Sequence, residues 1–208
     1  NYDYHTIDLH ASYSKTIKNV HNFYGLAGYQ EEEAFYNQLQ GEATNFYSDA
    51  ITTLSTSSEN FKASDQLYDW ATRGLFGRLS YNYDEKYFIE FNIRHDATSR
   101  FRKEDRWATF PSVSGAWNVA RENFWAFKDI VSQFKLRGSW STSGNGNVGG
   151  YYPFYPTINT SISNAIILDG KFVSTASLPP LVSNSLTWAK PTTIDFGFDM
   201  NAFKNRLE

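Results

Sequence analysis

Residues 112–119, SVSGAWNV, alternate without a slip. Ser112, Ser114, Ala116 and Asn118 fall on one side, and Val113, Gly115, Trp117 and Val119 on the other. Successive side chains of an extended chain point to opposite faces, so this run is a strand with one apolar and one polar face. The same period recurs along the chain. Ile7, Leu9, Ala11 and Tyr13 oppose Asp8, His10 and Ser12, and Leu75, Gly77, Leu79, Tyr81 and Tyr83 oppose Phe76, Arg78, Ser80 and Asn82. Tyr87, Ile89, Phe91 and Ile93 oppose Phe88, Glu90, Asn92 and Arg94. Phe134, Leu136 and Trp140 oppose Lys135, Arg137, Ser139 and Ser141, and Ile194, Phe196, Phe198 and Met200 oppose Thr193, Asp195, Gly197 and Asp199. Residues 23–30 are also β-like, with no evident apolar side. Seven strands result, and the fold class is all-β.

What the two faces meet decides the architecture. Aromatic residues make up 18% of the chain, with 17 Phe, 14 Tyr and 6 Trp, yet mean hydropathy is −0.51. The rings are therefore spread along alternating strands rather than gathered in a thick continuous core. Arg78, Glu90, Arg94, Lys135, Arg137, Asp195 and Asp199 stand in mid-strand on the polar side, which must be wet. A soluble sandwich turns such a face outward, whereas a membrane barrel turns it toward a water-filled lumen. Link lengths favour the barrel. The connections at 84–86 and around 16–21 and 120–133 are shorter than those at about 41–71 and 144–190, with a brief one at 99–106 between. Outer-membrane barrels have short periplasmic turns and long external loops. On that reading Leu79, Tyr81, Ile89, Phe91, Ile93, Val113, Trp117, Leu136, Phe196 and Phe198 face lipid. The seven charged residues face the lumen, and Tyr81, Tyr83 and Tyr87 form an interfacial girdle. The alternative is a soluble extracellular β-sandwich that binds carbohydrate.

Other functions find little support. The 19 basic and 22 acidic residues give a net charge of −3, with no basic stripe for nucleic acid. Without cysteine there is no disulfide framework or thiolate site, and His5, His10, His21 and His95 lack ligand spacing, so neither metal nor cofactor is expected. No hydrolase signature is present, and no enzymatic activity is expected. Residues 144–149 fit G-x-G-x-x-G, but Pro153 and Pro156 follow where a dinucleotide site needs a helix, so this is a turn. Glu31, Glu32 and Glu33 suggest a solvated run beyond a strand end. Asn159–Thr160–Ser161 fits a glycosylation sequon. Exposed rings in the long links, at Trp70, Tyr151, Tyr152 and Tyr155, are the candidate ligand contacts, because flat faces beside Asn, Asp and Ser groups suit sugars or peptides. Strand-like sequence at the start and turn-like sequence at the end suggest one segment, residues 1–208, of a longer barrel.

Specific motifs carry a resemblance. Arg94, Asp96, Ser99, Arg100 and Phe101 are followed by Arg106, Trp107, Phe110, Pro111, Ser112, Val113 and Ser114, and then by Leu136, Arg137, Gly144, Asn145 and Asn147. This series resembles the distal barrel of the SusC/RagA family of TonB-dependent outer-membrane transporters, and the likeness extends over nearly the whole chain. It implies a portion of a barrel of about 22 strands, closed elsewhere by a plug domain. It further implies import of an oligosaccharide or peptide across the bacterial outer membrane, a SusD-like surface lipoprotein partner, and energy from TonB through a region outside these residues. It also implies pairing of such transporter–lipoprotein units into dimers.

Overall fold

The computed structural model describes residues 1–51, 53–158, 160–179, 181–183 and 185–203. The sequon at Asn159 and the closing residues 204–208 lie outside them. Among the described residues nine strands form: β1 (Tyr2–Ile17), β2 (His21–Phe46), β3 (Ser57–Tyr83), β4 (Tyr87–Thr98), β5 (Trp107–Asn118), β6 (Val131–Thr142), β7 (Thr160–Leu168), β8 (Lys171–Ala176) and β9 (Thr192–Ala202). Seven make one antiparallel sheet in the order β1-β2-β3-β4-β5-β6-β9, and β7 and β8 pair separately. The six alternating segments and the β-like stretch at 23–30 lie in the seven strands of that sheet.

The register makes the alternation consequential. Tyr83 pairs with Tyr87, Tyr87 with Trp117, Trp117 with Leu136 and Leu136 with Phe198, so one apolar row crosses four strand boundaries. Higher up, Gly25, Leu79, Phe91, Val113, Trp140 and Ile194 form another such row. Because side chains repeat every two residues, a slip of one anywhere would mix the faces. Pairing also places Phe23 and Tyr29 of β2 on the apolar side, which periodicity alone left open. Among the described residues no second sheet covers this side: Leu79, Phe91, Phe196 and Phe198 are 66%, 50%, 86% and 63% exposed. A sandwich would bury that surface, so the sandwich reading is overturned.

The polar side is concave. A cavity of about 890 Å³ lies on it, bordered from edge to edge by Ser14, Tyr24, Glu90, Ser114, Arg137 and Asp195. The sheet is a partial barrel with its charged face inward.

The two ends differ. At one end β1–β2 and β3–β4 turn through consecutive residues at positive φ, Lys18–Asn19 (53° and 56°) and Asp84–Glu85 (49° and 52°). That is the I′ arrangement, whose twist matches that of paired strands. At the other end the expected long link at 41–71 is mostly strand: β2 and β3 stay paired up to Phe46↔Ser57, leaving residues 47–56 as the connection. Here the Ser/Thr/Asn-rich composition suggested loop, while ladder hydrogen bonds and cross-strand pairs outweighed propensity. Glu31–Glu33 accordingly lie within β2, not beyond its end, and Arg73 on β3 donates to Glu31 through Nε and Nη2 at 2.9 and 2.7 Å. The 144–190 link likewise holds the β7–β8 hairpin.

The charged, ring-bearing stretch before β5 folds into a small core at the long-loop end. Phe101 is completely buried, its ring 5.6 Å from Trp188, and Phe110 meets Trp188 edge-on at 5.2 Å. Arg106 Nε donates to Phe101 O (3.0 Å) and Trp188 Nε1 to Arg106 O (2.7 Å). The Phe110 ring sits over Gly144, where a Cβ would lie 2.2 Å away, so only glycine fits. Asn145 and Ala189 exchange backbone bonds of 2.9 and 3.1 Å, fastening both ends of the long link to the wall. At the opposite end Glu122 accepts hydrogen bonds from Tyr87 OH and Trp117 Nε1, tying the turn to the apolar row. Those two donors, Tyr87 first, hold the Glu122 carboxyl below its ordinary range.

Two predictions follow from these ends. In the full-length protein, Phe101→Ala should cost about 3–5 kcal/mol locally and expose residues 143–191 to limited proteolysis, with Phe101→Leu nearly protected. A depressed carboxylate stabilises above its unfolded pKa and loses that contribution as pH falls through the folded one. Acid titration of tryptophan fluorescence should therefore show a transition below the ordinary carboxylate range, absent in Glu122→Gln.

Candidate functional site

The concave face carries every charged residue that alternation placed there. Arg78 Nε donates to Asn92 Oδ1 at 2.7 Å and lies 3.7 Å from Glu90. Arg94 pairs with Asp96 at 3.0 Å while its guanidinium covers the Phe76 ring at 5.4 Å. Lys135 Nζ stands 4.2 Å from the centre of Phe88, and Arg137 Nε 3.4 Å from Asp199. Asp195 borders the cavity. Exposed pairs of this kind add little stability. Their effect is to hold a hydrated, nearly charge-balanced wall.

The opposite face carries Leu79, Tyr81, Ile89, Phe91, Ile93, Val113, Trp117, Leu136, Phe196 and Phe198, all in one parity set. Its rows run from Tyr83 up to Arg73, ten residues along β3. At about 3.3 Å per residue and a tilt near 45°, that is roughly 23 Å in height, close to the ~25 Å apolar band of membrane barrels. The Arg73–Glu31 pair, 2.7 Å apart, marks the upper limit. Within the band Lys15, paired with Phe23 one row above the turns, is long enough to reach the polar boundary. Rings mark the lower limit: Tyr83–Tyr87 and Tyr87–Trp117 stack at 6.3 and 6.4 Å, and Phe124 meets Trp117 edge-on at 6.3 Å.

Above the charged wall, still on the concave face, aromatic side chains assemble into a stack. Trp70 belongs to β3 rather than to a loop, in one row with Tyr4 and Ala34. Tyr36 and Tyr68 occupy the next row and stack at 5.7 Å, and Tyr151 of the long link stacks on Tyr68 at 4.7 Å. The Arg100 guanidinium lies between Trp70 and Tyr151, 5.5 and 5.6 Å from their rings, a cation–π contact on both sides. Arg100 precedes the buried Phe101, so the small core fixes where this cation stands.

Of the four rings singled out from the sequence, Trp70 and Tyr151 are brought together. Tyr152 leaves the stack and donates to the Asp69 carboxylate. Tyr155 packs on Phe154 at 4.5 Å, remains 61% exposed and is not part of it. Tyr4, Tyr36, Tyr68 and Arg100 complete the stack. The signal for Tyr36 and Tyr68 was the strand continuing past Tyr29, which glutamates and glutamines obscured. The G-x-G-x-x-G stretch leaves β6 through the Asn145–Ala189 bridge with Gly149 at φ +72°, and no helix follows it.

No protein-family model matches the chain. It is 29% identical over 205 residues to TonB-dependent receptor P3 of Formosa agariphila, covering 98% of this chain and 19% of that protein. It is 33% identical over 142 residues to TonB-dependent receptor SusC of Bacteroides thetaiotaomicron, covering 66% and 14%. Its fold matches a solved structure of the RagAB peptide transporter with a TM-score of 0.84 at 24% identity, over 97% of this chain and 22% of that one. A RagAB peptide importer in a closed–closed state matches with a TM-score of 0.85 at 25% identity, over 98% and 22%. The chain thus spans about a fifth of the length of these relatives or less. With one face fit for hydrocarbon, one for water, and these likenesses along its length, this chain belongs to the SusC/RagA family of TonB-dependent receptors, as a segment of the transmembrane β-barrel.

Proposed function

We propose that this segment forms part of the channel wall of a nutrient importer in the bacterial outer membrane. The observation that carries this reading is the single parity set that leaves a continuous apolar face open across seven strands and puts the ion pairs on the concave side. In hydrocarbon every backbone group must be bonded within the protein, which an antiparallel ladder provides once its barrel is closed. Leu79, Tyr81, Ile89, Phe91, Ile93, Val113, Trp117, Leu136, Phe196 and Phe198 face lipid, while Arg78, Glu90, Arg94, Lys135, Arg137, Asp195 and Asp199 hydrate the lumen. The role is transport and binding rather than catalysis.

The substrate is an oligosaccharide or a peptide, received at the rim by Trp70 and Tyr151 with Tyr36, Tyr68 and Arg100. Tyr152 and Tyr155 stand beside them on the same long link. The names of the curated relatives, TonB-dependent receptors, support TonB as the energy source, acting through a part of the protein beyond these residues. In the same reading a SusD-like lipoprotein covers the rim, and the transporter–lipoprotein units pair into dimers. Residues 1–208 act here as one barrel segment.

Two experiments on the full-length receptor test this. Phe91→Arg, near the middle of the apolar band, should cost about 2–4 kcal/mol in refolding into bilayers, whereas Glu90→Gln on the lumen side should be near neutral. Equal effects would contradict the facing. In cells dependent on the receptor, a Trp70→Ala/Tyr151→Ala double variant should take up the oligosaccharide or peptide nutrient about tenfold more slowly with the barrel still folded. Unchanged uptake would remove the rim from the substrate path.

A further inference from the structure

Above Thr72 only β1, β2 and β3 continue, and beyond the Tyr2–Tyr36–Tyr68 row the sheet narrows to β2 and β3. β4 ends at Thr98, opposite Thr72. The next residue meets β3 once more: Ala71 N–H donates to Ser99 Oγ (3.0 Å) and Ser99 N–H to Ala71 O (2.9 Å). From there to Ser57 no described strand lies along that side of β3. The connection from Ser99 to β5 folds into the small core around Phe101 instead of rising beside the hairpin.

Those two bonds fix which residues face the opening. In an antiparallel ladder a residue sends its N–H and C=O to the same neighbour, and alternate residues serve opposite neighbours. Asp84 N–H donates to Val20 O on the β2 side at 2.7 Å, so even-numbered residues of β3 serve β2. Ala71 and the other odd-numbered residues serve the far side. Register holds up to the Glu42↔Lys62 pair, below the shift that precedes Thr44↔Glu59. Ala63, Asp65 and Leu67, all exposed, therefore direct their N–H and C=O groups away from β2. Below them Tyr152 reaches only the Asp69 side chain.

We propose that this edge of β3 captures extended peptides by strand addition. A row of unpaired strand groups is a template for another strand, and the flanking side chains define which one. Asp65 and Asp69 lie on one face, so ligand residues opposite them stand four apart and meet carboxylates with Lys or Arg. The other face carries Gln66 and the Tyr68–Tyr151 ring stack, which suits uncharged polar or aromatic residues. A sugar chain has no alternating N–H and C=O groups to offer this ladder. The proposal deepens the import reading by naming the cargo, and rests on that reading only for the peptide's later passage.

The test uses the full-length receptor in detergent micelles and a fluorescein-labelled decapeptide of alternating threonine and lysine, read by anisotropy. Saturable binding is expected. Asp65→Pro should weaken it about tenfold, because proline removes the one N–H aimed outward and leaves the bonds to β2, while Ser64 before it is already extended. Asp65→Ala, which keeps the backbone donor, should weaken it two- to fivefold. Methylating the peptide's lysine nitrogens in the backbone should abolish binding, and methylating the threonine ones should not, since lysines opposite the aspartates supply the ladder bonds. Absence of binding to the unaltered receptor, equal binding of the two methylated peptides, or full affinity in an Asp65→Pro receptor that keeps the heat-dependent gel shift of a folded barrel would overturn the proposal. Uptake is not read in this assay, so the import reading is judged by its own.

Discussion

The two-residue period of the β-strand, carried intact through six strand pairings, governs this molecule. Between the register shifts at Glu42/Thr44 and Val131/Gln133 each pairing keeps odd with odd, except β5–β6, which trades numbering without trading faces. A side chain's environment is then fixed by parity: Phe91 and Glu90 are neighbours in sequence and belong to different solvents. A soluble domain tolerates local departures by repacking its core. A wall one residue thick has no core to repack, so an error in register would place charges in hydrocarbon and rings in water.

The same period sets what each end can do. Close to the turns, the paired I′ residues and the rings of Tyr83, Tyr87 and Trp117 make a short, stiff boundary, with Glu122 bonded to two of its members. At the far end β2 and β3 outrun their neighbours, so their extension must be supported differently. The buried Phe101, capped by Trp188 and Phe110, orders the surrounding links, and Tyr151 of the long link stacks on Tyr68 of the extension. A small hydrophobic core thus sits at one end of a barrel wall that has none.

That placement ties the small core to the aromatic stack. Arg100 and Phe101 are adjacent, one stacked between Trp70 and Tyr151 and the other completely buried. The small core thereby holds the cation and the rings in one fixed arrangement. The charged wall beneath carries exposed and nearly balanced ion pairs.

Alternation in the sequence determined the all-β class and the membership of each face in six of the seven strands of the sheet, because side-chain direction along a strand is a local property. It also carried the motifs around Arg100, Phe101, Arg106 and Phe110, though not their purpose. Only tertiary structure decided where β2 and β3 end, since pairing across the hairpin held polar residues such as Gln38 and Ser64 in strands that their composition disfavours. It alone assigned the faces of residues 23–30, moved Trp70 from a loop into the wall, and joined Tyr36 and Tyr68 to Tyr151. These outcomes depend on contacts between residues far apart in the chain, and no local period encodes such distances.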